Sequence, residues 1–159
     1  MPEIRPIVPL DDPAVARLIR TVMPEFGAKG PGFAINDPEV DHMHEAYSGP
    51  RARYWVIDAL GRVVGGGGFA PLVGGDADTC ELRKMYFLSE ARGMGLGKTL
   101  LELCISEAKR VGFARMYLET LENMLAARRL YEAFGFRPLP KPKGATGHFG
   151  CDAWYERAL

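Results

Sequence analysis

The run Arg92-Gly93-Met94-Gly95-Leu96-Gly97-Lys98 constrains this chain more than any other. It follows an apolar, strand-like segment, Cys80 to Leu88, and opens a segment from Leu96 to Val111. There Leu96, Leu100, Leu103, Cys104 and Val111 recur at helical spacing, and Gly112 is the expected stop. Ala114 to Leu121 reads as the next strand. A strand–helix–strand unit of this kind makes its two strands parallel neighbours, with a ligand at their carboxyl ends. Glycines in the turn let backbone N–H groups crowd together. The helix N-terminus behind them adds partial positive charge, so the run reads as a cradle for phosphate oxygens.

The rest of the chain supplies strands and helices around that unit. Ile4 to Val8 reads as a first strand. Asp11 or Asp12 is placed to cap a helix that starts at Pro13 and buries Val15, Leu18, Ile19 and Val22. After the glycine- and proline-rich stretch from Pro24 to Asn36, Asp37-Pro38 is expected to start a second helix running to about Tyr47. Tyr54–Ala59 and Arg62–Leu72 read as strands joined by a tight turn. The second holds Gly65 to Gly68, and consecutive glycines inside a strand imply a bulge or the close approach of another group. Thr79 to Leu88 is the long central strand. Asn123 is placed to cap a helix through about Phe134, and Phe136–Leu139 and Cys151–Arg157 close the chain as strands. The order is β-α-α-β-β-β-α-β-α-β-β, an α/β (α+β) arrangement expected to form one domain over residues 1–159.

Composition narrows the partners. Lysine plus arginine balances aspartate plus glutamate at 20 each, so no overall charge points to nucleic acid or an anionic membrane. No apolar run approaches the roughly 18–20 residues of a membrane span. The first residues, Met1-Pro2-Glu3-Ile4-Arg5, lack the apolar core of a secretory signal. Three cysteines, Cys80, Cys104 and Cys151, are widely spaced and form no CxxC pair, which argues against a disulfide framework or a zinc cluster. The expected compartment is a reducing cytoplasm.

Three known loops compete for the glycine run. A dinucleotide fingerprint would place its third glycine one residue later. A P-loop would end in Gly97-Lys98-Thr99 but needs glycine at position 92, where the chain has Arg92. The third pattern, [QR]-x-x-G-x-[GA], is met at every fixed position by Arg92 to Gly97. It is the pyrophosphate loop of the Gcn5-related N-acetyltransferases, and the chain resembles that family over nearly its whole length. Glu81-Leu82-Arg83-Lys84-Met85-Tyr86-Phe87 is similar to the family's central strand. Leu130-Tyr131-Glu132-Ala133-Phe134-Gly135-Phe136 is similar to its LYExxGF ending. The chain departs from the pattern at Ser89, where members often carry proline, and in an Asn123-to-Tyr131 interval longer by one residue.

The resemblance implies a mixed, mostly antiparallel sheet of six or seven strands with flanking helices. It also implies direct transfer of acetyl from acetyl-coenzyme A to an amine, with no metal. The pyrophosphate would be held by Arg92, Gly93, Met94, Gly95, Leu96, Gly97 and Lys98. The pantetheine arm would lie where the fourth and fifth strands splay apart, near Met85, Tyr86 and Phe87, one of whose N–H groups would polarise the acetyl carbonyl. Asn123 would be a further cofactor contact. The apolar run from Met85 to Leu88 breaks the strand's alternation and is compatible with a bulge.

An ammonium cannot attack a thioester, so a base or a water chain is needed. Glu81 stands where some members carry a glutamate base, and Glu119 on the neighbouring strand competes with it. Tyr131 matches the tyrosine that protonates the leaving thiolate. The acceptor, a small molecule or a peptide, stays open, as does a homodimer. The competing reading is a non-catalytic acyl-coenzyme A binder. His42 and His44 diverge on a helix and make a poor metal site. His148 reads as an exposed loop histidine, with a place lining the acceptor pocket as the alternative, and Cys151 as structural.

Overall fold

A computed structural model describes residues 1–159. The elements follow the expected order: β1 (Glu3–Pro6), α1 (Asp12–Glu25), α2 (Met43–Ala46), β2 (Arg53–Ala59), β3 (Arg62–Pro71), β4 (Thr79–Phe87), α3 (Leu96–Arg110), β5 (Arg115–Thr120), α4 (Leu125–Ala133), β6 (Arg137–Leu139) and β7 (Ala153–Ala158). One seven-stranded sheet has the order β1-β2-β3-β4-β5-β7-β6. Only β4 and β5 run parallel, as the strand–helix–strand unit requires; the other neighbours are antiparallel.

Alternation along β2 sorts side chains onto the two faces of the sheet. Trp55 and Ile57 join Phe69, Leu82, Met85 and the α3 residues Leu100, Leu101 and Cys104 in one core. Tyr54 and Val56 join Val15, Ile19 and Met23 of α1 and Met43 of α2 in the other. The sheet is therefore a shared wall between two apolar layers, and its central strands are buried on both faces.

The glycine tract meets the bulge from the opposite strand. In the β3–β4 ladder Gly66 pairs with Tyr86 and Gly68 with Arg83, so Gly67 faces both Lys84 and Met85. The extra residue lies in β4, where Lys84 takes φ +49°, a left-handed conformation rare for a lysine. The glycines make room for it. A Cβ on Gly66 would lie 2.8 Å from the Tyr54 hydroxyl, and one on Gly67 3.2 Å from Met85 Cβ. The Tyr54 hydroxyl donates to the Lys84 carbonyl at 2.8 Å, satisfying an acceptor that the bulge removes from the ladder.

The expected capping side chains make other contacts. Asp37 stands at the N-cap of only a 3₁₀ turn and makes no side-chain capping bond; its carboxylate accepts from Lys84 and contacts His148. The predicted second helix is accordingly broken into a 3₁₀ turn at Pro38–Asp41 and the single turn α2, with His42 outside helical geometry between them. Asn123 does not cap α4, where Met124 holds that position. Its amide donates instead to the Phe26 carbonyl at 3.0 Å. Asp11 spends its carboxylate on Arg5 and the Val8 N–H.

Gly66→Val should push Tyr54 off the Lys84 carbonyl. An expected loss of about 1–3 kcal/mol in urea unfolding measures this; an unchanged midpoint would show that the tract does not support the bulge.

Candidate active site

Pairing between β4 and β5 ends early. The ladder covers Thr79–Arg115, Cys80–Met116 and Glu81–Tyr117 and then stops, although β4 continues to Phe87 and β5 to Thr120. Beyond Glu81 the two strands diverge, as expected from the resemblance, and two clefts open along the gap. The outer one is walled by Met85, Tyr86, Phe87, Ala127, Leu130, Tyr131 and the turn residues Arg92, Gly93, Gly95, Leu96, Gly97 and Lys98. The inner one is narrower and runs on from it. The two share Phe26, Met85, Tyr86, Met124 and Tyr131, and the inner one adds Met23, Ala28, Phe33, Leu82, Lys84, Leu118, Glu119, Thr120, Leu121 and Cys151.

The turn has the shape expected of an anion cradle. Gly93 and Gly95 adopt φ +75° and +76°, and Gly95 is the N-cap of α3. The first amides of α3 are thus presented at the mouth of the outer cleft. Arg92 is tied to protein: its Nε donates to the Phe87 carbonyl at 2.9 Å and its Nη2 to Glu25 at 2.8 Å. This arginine braces the turn against the end of α1, while Lys98 stands without an ion-pair partner. Met94 is exposed, and neither it nor Asn123 lines a cleft.

Tyr131 is buried where the two clefts meet, its ring 5.9 Å from that of Phe136 and 6.2 Å from that of Tyr155. Burial raises its phenol above the ordinary value, so it holds its proton at neutral pH. Cys151 also reaches the inner cleft, and burial pushes its thiol up to about 12. That thiol is not a thiolate at neutral pH, in keeping with the structural role expected for it.

Past Tyr131 the inner cleft ends in a network of charges. Glu81 is buried and accepts from Arg83 Nε at 2.8 Å. Burial raises its carboxyl and the Glu119 charge adds to the effect, against Arg83. Glu119 accepts from the Tyr117 hydroxyl at 2.7 Å and from Thr146 at 2.6 Å. His148 bridges the network, with Nε2 2.9 Å from Asp37 and Nδ1 3.3 Å from Glu119. Two ring nitrogens facing two carboxylates fit an imidazolium, which donates from both. The carboxylates of Asp37 and Glu119 hold its pKa up at about 9. Ligand atoms of Glu81, Glu119 and His148 lie within 4.8 Å of one another, close enough for a cation. Arg83, Tyr117, Thr146 and Asp37 already engage those atoms, so the arrangement is an ion-pair network as it stands.

His148 is the site residue that sequence reading misplaced. It is half-buried and clasped rather than an exposed loop side chain. Its partner Asp37 is 111 residues away, a separation no local pattern reveals. Lys84 was missed as well. The charged Glu81 and Arg83 stand beside it in the same strand, so nothing local set it apart.

The sequence profile of the Acetyltransferase (GNAT) family matches residues 16–136. The chain belongs to the GNAT family. It is 43% identical to YjgM, an uncharacterized N-acetyltransferase of Escherichia coli, over 99% of this chain and 95% of that one. It is 31% identical to an uncharacterized N-acetyltransferase of Schizosaccharomyces pombe, over 76% and 72% of the two chains. Its fold matches a GNAT acetyltransferase from Staphylococcus aureus with a TM-score of 0.88 at 21% identity, over 100% and 99% of the chains. It also matches yncA of Salmonella typhimurium, a structure with its cofactor acetyl-CoA, with a TM-score of 0.75 at 23% identity over 100% and 94%. This GNAT protein is an acetyl-coenzyme A-dependent N-acetyltransferase, and the reading as a non-catalytic binder is set aside.

The His148 clasp has a pH signature. A group whose folded-state pKa is raised contributes its full stability below the ordinary value of 6.5 and loses it as pH rises through about 9. Wild type should melt above His148→Ala at pH 6, and the gap should close on the alkaline side of pH 9. A gap that is constant with pH would mean the histidine is neutral in the fold.

Proposed function

We propose that acetyl transfer takes place where the two clefts meet at Tyr131. Acetyl-coenzyme A lies along the outer cleft with its pyrophosphate on the Gly93–Lys98 amides, and the amine enters the inner cleft. The observation that carries this reading is the continuity of the two clefts across Met85, Tyr86 and Tyr131. One end is a phosphate cradle and the other a carboxylate cluster.

In this reading the unpaired edge of β4 beyond Glu81 offers backbone groups to the pantetheine arm. An N–H among Met85, Tyr86 and Phe87 steadies the oxyanion. The acceptor arrives as an ammonium and gives one proton to the Glu81–Glu119 pair. Burial lifts Glu81 toward the range in which a carboxylate accepts that proton. The free amine attacks the acetyl carbon, a C–N bond forms and the C–S bond breaks. Tyr131 protonates the departing thiolate and is reprotonated by the second N–H proton, which the nitrogen sheds as the C–S bond breaks, leaving the amide and coenzyme A. Holding the two reactants in one gap supplies much of the acceleration. Glu119 lines the cleft wall and Glu81 sits behind it, so Glu119 meets the ammonium and Glu81 shares its proton.

Tyr131→Phe should lower kcat by about 100-fold, with coenzyme A affinity in calorimetry essentially unchanged. An unaltered kcat removes Tyr131 from the mechanism. Glu119→Gln and Glu81→Gln should each lower kcat/KM and shift the acidic limb of its pH profile. A variant whose limb stays in place names a carboxylate that is not part of the base.

A further inference from the structure

The inner cleft selects among amines by what its wall leaves unpaired. Its apolar lining comes from Met23, Phe26, Phe33, Leu118, Leu121 and Met124. The charged groups it reaches are already matched. The Lys84 side chain is 1% exposed, and its Nζ is held by Asp37 at 2.8 Å and Glu39 at 3.0 Å. Arg83 is held by Glu81 and by the Pro71 carbonyl, and His148 by Asp37 and Glu119. Asp37, Glu39, Glu81 and Glu119 are therefore balanced by only Arg83, Lys84 and His148. The cluster lacks one positive charge, and Glu119 is the carboxylate through which the cleft reaches it.

An acceptor carrying a carboxylate would find no free cation in this wall and would face Glu119. A polyamine or an aminosugar would bury further cations or hydroxyls against methionine, leucine and phenylalanine, where they have no partners and are costly to desolvate. A peptide would bring backbone amides to the same surface. One ammonium on an apolar body meets every condition: its head completes the charge balance and its body covers the apolar wall.

We propose that the acceptor is a compact primary alkyl- or arylalkylamine without a carboxylate. The proposal takes the junction at Tyr131 as the transfer site. Phe33 sets the size of the acceptor. It comes from the loop after α1 and packs on Gly150, where a Cβ would lie 2.5 Å from its ring.

The test is thiol release at saturating acetyl-coenzyme A with propylamine, butylamine, pentylamine, hexylamine, phenethylamine, phenylalanine and spermidine. Along the alkyl series kcat/KM should rise roughly fourfold per methylene until the cleft is full. Phenethylamine should exceed phenylalanine, which has the same body plus a carboxylate, by about 100-fold or more. Phe33→Ala should cost phenethylamine about tenfold in kcat/KM while coenzyme A binding by calorimetry is retained. Phenylalanine or spermidine turned over as well as phenethylamine, or an alkyl series without a slope, overturns the acceptor class and leaves the transfer site standing. Coenzyme A binding with no turnover of any amine overturns the transfer site itself, and the proposal with it.

Discussion

The left-handed turn of Lys84 inside the central strand is the constraint around which this molecule is arranged. A non-glycine residue in that conformation is unfavourable, on the order of 1–3 kcal/mol, and persists only when its surroundings hold it. Three sets of contacts do so here. Glycines of β3 give the bulge room, the Tyr54 hydroxyl takes up the Lys84 carbonyl, and Asp37 with Glu39 anchors its ammonium. The bulge turns β4 out of step three residues after its pairing with β5 has ended. A sheet paired to its full length there would have no gap between these strands, and hence no place for an extended cofactor arm.

The same contacts join the strand to the loops over the inner cleft. Asp37 touches both Lys84 and His148, so it links the bulge to the segment before β7. The Gly150 N–H donates to the Gly32 carbonyl at 2.9 Å, and the Phe33 ring packs on Gly150, which stitches the loop after α1 to that segment. Two loops that are glycine- and proline-rich in sequence thereby become a fixed wall. At the other end, Arg92 ties the phosphate turn to Glu25 and approaches the ring of Phe26, at the point where that same loop leaves α1. The outer and inner clefts are thus positioned from one segment, residues 25 to 37.

The legible part of the chain was the part governed by local rules. Helical spacing from Leu96 to Val111, glycine stops and strand alternation are short-range effects, and the element order, the parallel β4–β5 pair and the phosphate turn could all be read from them. The bulge was half legible. The glycine tract announced a close approach and the broken alternation from Met85 to Leu88 was compatible with a bulge in β4, but only pairing places the extra residue, at Lys84. Asp37 and Asn123 misled for one physical reason. Short polar side chains suit helix caps, and they also make good long-range partners. Nothing local says which use prevails. His148 lay beyond reach because its role comes from two carboxylates on distant segments.

The carboxylate cluster shows how one fold gives two identical functional groups different surroundings. Glu81 is buried behind the cleft wall, and loss of solvent outweighs the nearby Arg83 and lifts its carboxyl. Glu119 stands at the wall itself, oriented by the Tyr117 and Thr146 hydroxyls and by His148. A base must both touch the incoming ammonium and accept its proton near neutral pH, and a single carboxylate in either position does only one of these well. Both side chains are only 4% exposed, but Glu119 lines the cleft and Glu81 does not, so in the proposed mechanism Glu119 meets the amine and the desolvated Glu81 takes up its proton. Placing the two within 4.8 Å of a common imidazole divides the requirements between them. The short parallel ladder makes this possible. It ends at Glu81, which holds that residue inside the sheet, while β5 runs on far enough past the last pair to carry Glu119 into the gap.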